Sequence, residues 1–168
     1  FLYQFDVIVN MMPTSSEAYR NIRKEIAAMD YGVNALQTTI PSLTANGESW
    51  GNPFVDGSSQ TGRNVVIGGL TPNRTDIIHD GDFVQFDNNG KVYQVVGDFD
   101  SDGSGDATIK LNTPLIGSPT HGSLITTGTS VQFNLAIDNA EFVMGFTPRT
   151  ATDNLVSPGT FLFTEVII

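Results

Sequence analysis

At 168 residues the chain is long enough for one ordinary domain, or for a domain carrying a small insert, and 39% hydrophobic residues suffice for a core. With no Cys it has no disulfide framework, no thiol nucleophile and no thiolate metal site. A formal net charge of -10, from 8 Lys+Arg against 18 Asp+Glu, has the wrong sign for gripping nucleic acid or an anionic membrane, and no apolar run approaches the ~18 residues of a membrane span. The acid keeps a monomer soluble, or lines a passage through which DNA slides without sticking.

The chain starts at Phe1 with neither Met nor a basic leader, as expected of a trimmed or partly ordered chain rather than one retaining a signal peptide. Phe1, Tyr3, Phe5, Val7 and Val9 alternate with Gln4, Asp6 and Asn10, which predicts a strand over Phe1–Asn10. A helix follows. Pro13 precedes Thr14, and Thr14 with Glu17 has capping-box spacing. Tyr19, Ile22, Ile26 and Met29 recur at three and four residues, leaving Arg20, Arg23, Lys24 and Glu25 on the wet face, and Gly32 suits a helix stop. Thr38 to Arg63 reads as loop, with Pro41, Asn46-Gly47, Gly51, Pro53 and Asp56-Gly57, and as the crossing into a second module.

Short strands are then expected near Asn64–Ile67, Asp82–Phe86, Lys91–Val96, Ala107–Leu111 and Ser123–Thr126. They are cut by Gly81-Asp82, Asn89-Gly90 and Asp102-Gly103, residue types that tolerate positive φ where strands reverse. Val131 to Asp138 is the cleanest alternation in the chain, and Glu141–Phe146 continues it. Phe161–Ile168 is apolar on both faces apart from Thr164 and Glu165, which predicts a strand paired or covered on both sides. The fold class expected is mainly β: a β-sandwich with one packed α-helix and an inserted small β-barrel or sandwich module. Residues 1–57 with 128–168 form the discontinuous domain, and 58–127 the insert.

The sharpest constellation is Asp98-Phe-Asp100-Ser-Asp102-Gly103-Ser-Gly105-Asp106. It matches the first half of a calcium loop, with carboxylates at positions one, three, five and nine and Gly at six, yet Ile109 stands at position twelve where a bidentate acid closes such a loop. The expectation is a solvent-exposed hairpin tip without a tightly bound ion, and no cofactor. His79 and His121 sit beside turn residues in different loops without metal-ligand spacing, and are expected to hydrogen-bond to the backbone. No nucleophile elbow or phosphate loop is present. Trp50, the single Trp, lies in a Gly/Pro loop. There it can stack on a sugar, anchor the loop to the core, or plug into a neighbouring subunit.

The stretch from Asn52 to Leu135 carries VDGSSQTG, HDGDFVQF, KVYQVVGDFDSDGSGDATIKLNTPL and VQFNLAIDN, and the chain closes with FLFTEVII. These segments resemble those of tailed-bacteriophage tail-tip proteins of the distal-tail type. The resemblance implies a virion protein of the phage tail tip, assembled in the bacterial host cytoplasm. It would form a homo-oligomeric ring, typically a hexamer, that joins the tail tube to the baseplate hub and receptor-binding apparatus, with no catalysis. A rotational ring uses head-to-tail contacts, so two different faces of each subunit must be complementary. Phe1, Tyr3, Phe5, Trp50, Phe161, Phe163 and Ile167 are the interface candidates. Two alternatives stand beside it: a carbohydrate- or receptor-binding β module using Trp50 and the Asp98–Asp106 loop, and a hydrolase of unrecognised type. Neither stable DNA binding nor membrane association is expected.

Overall fold

The structure, a computed structural model, describes residues 2–9, 12–13, 16–28, 35–39, 50–88, 90–137, 145–147, 155–157 and 159–167. Phe1, Thr14, Gly32, Asn89 and Asp138, and with them the capping box and the helix stop, lie outside these residues. The protein is mainly β, with thirteen strands and one α-helix among the described residues. The chain divides into two compact units: Phe1–Gln37 with Asn134–Val166, and Thr38–Phe133 with Ile167–Ile168.

In the first unit β1 (Gln4–Val9) is followed by β2 (Met12–Pro13) and α1 (Glu17–Ala28). Arg20 and Lys24 are exposed on α1 while Ile22 is half-buried, the split its three-and-four spacing requires. β3 (Leu36–Thr39) and β10 (Gln132–Ile137) join β1 and β13 (Gly159–Glu165) in a sheet of order β1-β13-β10-β3. The apolar β13 is therefore central, paired along six residues with β1 (Gln4 opposite Thr164 through Val9 opposite Gly159) and on its other side with β10. A small sheet orders β11 (Gly145–Thr147), β12 (Leu155–Ser157) and β2.

The second unit holds two three-stranded antiparallel sheets. One is β4 (Gly51–Val55), β5 (Asn64–Leu70) and β8 (Ala107–Lys110); the other is β7 (Val92–Gln94), β6 (Phe83–Gln85) and β9 (Thr126–Thr127). Single bridges connect them at both edges, Val95 with Leu111 and Phe54 with Leu124, but none of the sheets closes into a barrel. Of the two forms expected for this module, the closed one is not adopted. Closure needs continuous staggered pairing between tilted strands, and strands of two to five residues with one bridge at each seam do not supply it.

The core of this unit is built from its own residues, including Val55, Val65, Ile67, Ile77, Ile78, Val84, Tyr93, Ile109, Leu111 and Ile125. Phe86 meets Tyr93 edge-on at 5.6 Å, and the Tyr93 hydroxyl accepts the Ile116 N–H at 3.0 Å. The Lys91 ammonium, on a buried side chain, lies 5.5 Å from the Tyr93 ring centroid.

Two expectations about this region are corrected. Thr38–Arg63 is not all loop: Gly51–Val55 is a strand despite its Gly and Pro. Its register shifts between Gly51 and Phe54, so Pro53 escapes the regular ladder, and the Pro53 carbonyl still accepts the Ile125 N–H at 2.9 Å. The unit boundaries also differ from 57/58 and 127/128. They fall inside strands β3 and β10, between Gln37 and Thr38 and between Phe133 and Asn134. Turn-residue clusters mark loops, and these boundaries carry no such cluster.

Candidate functional site in the Asp98–Asp106 loop

After β7 the chain bends at Gly97, with φ of 100°, and residues 98–102 then alternate in exposure. Phe99 pairs with Ile78 through N–H···O bonds of 2.9 and 3.3 Å, so residues of even number face outward and odd ones inward. Ser101 is buried; its hydroxyl donates to the Thr71 carbonyl at 2.6 Å and accepts the Arg74 N–H at 3.0 Å. On the outer side each acid is committed to backbone. The Asp98 carboxylate accepts the Asp80 N–H at 2.9 Å, while the Asp80 carboxylate accepts the Gly97 N–H at 2.8 Å, a reciprocal clamp. Asp100 accepts the Asp76 N–H at 2.8 Å, at a residue with φ of 50°. Asp98 and Asp100 from one side, and Asp80 from the other, thus lace residues 97–100 to the loop from Asp76 to Asp80.

Asp102 turns inward on its own loop. One carboxylate oxygen accepts the Ser104 N–H at 2.8 Å and the Asp106 N–H at 2.9 Å. The Asp106 and Ser104 amides hold the Asp102 carboxyl below the usual carboxylate range, because hydrogen bonds to the charged form favour it. Gly105, at φ +84, is buried where a Cβ would run into the Leu70 carbonyl, and its own carbonyl accepts the Leu70 N–H at 3.0 Å. The expected positive-φ turn at Asp102-Gly103 therefore sits two residues later. Asp102 to Ser104 are exposed, but the loop is docked on its neighbours rather than projecting as a free hairpin tip.

The carboxylates of Asp98, Asp100 and Asp102 accept from separate backbone amides, those of Asp80, Asp76 and Ser104. Ile109, at the position that closes a calcium loop, is buried in β8 opposite Val65. Among the described residues no group of three or more His, Asp or Glu is placed to hold a metal ion. His121 Nδ1 accepts the Gly57 N–H at 2.9 Å, and His79 Nδ1 lies 3.6 Å from the Asp98 carboxylate.

The interface candidates separate by position. Phe5 and Phe163 are direct partners across β1 and β13, Tyr3 stacks on Phe5 at 6.5 Å, and Phe161 lies 6.3 Å from Phe163. Phe161 and Phe163 are buried within the chain, Tyr3 and Phe5 are half-buried, and Ile167 is exposed. Phe1 lies outside the described residues. Trp50 is corrected to a core residue of the second unit, 3% exposed, which is the anchoring reading of its loop and removes its ring from any sugar or subunit surface.

Side chains that sequence reasoning passed over do much of the positioning. Gln60 accepts the Val66 N–H at 2.6 Å and donates to the Asp56 and Val66 carbonyls at 3.1 and 3.0 Å, closing the turn after β4. Gln85 bonds both the N–H and the carbonyl of Gln132, at 3.1 and 2.8 Å. Nothing in a lone Gln marks such a role. A groove of about 310 Å³ between Gly51–Pro53 and Leu124–Thr127 carries no titratable side chain. No helix among the described residues is long and apolar enough to cross a membrane. No protein-family model matches the chain, and no curated protein matches it.

Proposed function

We propose that the protein is a structural component of a bacteriophage tail tip, of the distal-tail type, acting through subunit contacts rather than chemistry. The observation that carries the reading is the chain order of its two units. A sheet built from both ends of the described chain, with β13 zipped along β1, is interrupted by a strand-and-turn module that has its own core. The resemblance is concentrated in the interrupting module and in the closing strand. Three acids of the most conspicuous motif, Asp98, Asp100 and Asp102, are spent on backbone amides, which favours a scaffold over a catalyst or a metal sensor. The carbohydrate-binding alternative drew on Trp50 and on this same loop. With Trp50 buried and the loop docked, no observation favours that alternative.

In this reading the copies form a closed ring, six by the resemblance, that joins the tail tube to the hub. The ring uses head-to-tail interfaces of upwards of about 2,000 Å² with apolar centres. Cryo-electron microscopy of particles that contain the chain tests it: density for the chain is expected as a closed ring at the tail tip. Density for the chain outside any ring overturns the proposal.

A further inference from the structure

We propose that His121 is a pH-operated latch, which holds the Gly57 amide when its ring is neutral and transfers to the Asp56 carboxylate when its ring is charged. Two contacts at one ring nitrogen carry the inference. Nδ1 accepts the Gly57 N–H at 2.9 Å, and the same Nδ1 lies 3.8 Å from Oδ1 of Asp56. A nitrogen that accepts a hydrogen bond keeps its lone pair, so the ring is neutral with its proton on Nε2. Adding a proton to Nδ1 destroys that acceptor and sets two N–H groups against each other. The same proton gives the adjacent carboxylate a charged donor. The two contacts are therefore mutually exclusive, and protonation selects between them.

The surroundings allow the exchange without unfolding the turn. Both ring and carboxylate are substantially exposed, 58% and 42%, so neither is locked by packing. Gln60 closes the turn independently through the Asp56 and Val66 carbonyls and the Val66 N–H, none of which involves His121. On the other side, Gly122 N–H remains on the Val55 carbonyl at 2.8 Å. The loop from Gly117 to Gly122 contributes no charge besides His121, and the turn from Asp56 to Gly62 contributes only Asp56, with Arg63 following it. The electrostatic choice at Nδ1 is thus between one backbone dipole and one carboxylate. Histidine is the side chain type that exchanges its charge between pH 5 and 8. What the latch changes is the tie between the turn after β4 and a loop 64 residues further along the chain.

The test is nuclear magnetic resonance of the full chain between pH 5 and 8. At pH 8 the His121 ring is expected as the Nε2–H tautomer. The Gly57 amide shift should titrate with the same midpoint as the ring, and its exchange protection should fall about fivefold on acidification, the worth of one net hydrogen bond. Asp56→Asn should lower the ring midpoint, because a neutral amide no longer favours the cation. His121→Asn supplies an acceptor that does not titrate, so Gly57 should stay protected at pH 5.5. An Nδ1–H tautomer at pH 8, a Gly57 amide indifferent to pH, or Gly57 titration that persists in His121→Asn overturns the proposal. So does a ring midpoint that fails to fall in Asp56→Asn.

Discussion

Gly105 and Asp102 show how one residue governs the lacing of a loop. Gly105 is held at φ +84 with its Cα facing the Leu70 carbonyl, so any side chain there meets both backbone strain and a fixed oxygen. Gly105→Ala is expected to destabilise the second unit by about 1–3 kcal/mol, read as a lower urea midpoint with unchanged slope. Asp102 acts through charge. Its carboxyl is held low in the folded chain by the Asp106 and Ser104 amides. Its stabilising contribution is therefore fully present above the unfolded value of about 3.9, and is lost as pH falls through the lower folded value. Asp102→Asn should flatten that part of the acid limb in a pH series of urea midpoints, with little change in the shape of the curve above pH 5. An acid limb identical to that of the parent chain would show that the carboxylate does not contribute.

At the scale of elements, the informative pair is β4 and the segment from Gly122 to Ile125. The sequence between Thr38 and Arg63 reads as loop because Gly and Pro dominate it. Gly51–Val55 nevertheless becomes a strand because both its edges find partners, β5 on one side and Ser123 and Ile125 amide and carbonyl contacts on the other. Alternation then sets opposite fates for neighbours: Leu124 is 70% exposed and Ile125 is 5% exposed. Leu124→Ser should change stability by less than about 0.5 kcal/mol, whereas Ile125→Ala should cost about 2–5 kcal/mol in equilibrium unfolding. Similar losses from both substitutions would mean that Leu124 is covered. The apolar run of β13 predicts a strand paired or covered on both sides; it is paired at both edges, by β1 and β10, while its faces alternate between buried Phe161 and Phe163 and half-buried Leu162 and Thr164.

For the whole molecule, the two-unit division has a thermodynamic consequence. Every member of the second unit's core cluster lies between Trp50 and Ile125. A fragment spanning 50–133 should therefore fold alone, with a cooperative urea transition and dispersed amide resonances. A fragment without a transition would place part of its stability outside those residues. Charge operates at the same scale. Net charge is -10, and the one basic cluster, on α1, exposes Arg20 and Lys24 beside Glu17. Several Lys or Arg contacts to phosphate are needed to hold a duplex against salt. A gel-shift at about 150 mM salt should show no retained DNA at micromolar protein, and a retained band would contradict a passive, acidic surface.

The amino-acid sequence by itself determined the mainly β class, the position of α1 and the strands whose alternation is uninterrupted, because side-chain period is a local property. It also contained the reason Asp98–Asp106 lacks a closing acid, since Ile109 is visible at that position. Only the tertiary structure decided where the acids point. Asp98 and Asp100 find their donors at Asp80 and Asp76, across 18 and 24 residues of chain, and no spacing rule encodes such pairings. The burial of Trp50 and the strand at Gly51–Val55 were decided the same way, since a Gly/Pro segment acquires order only when remote strands supply the hydrogen bonds and the apolar surface that it cannot make alone.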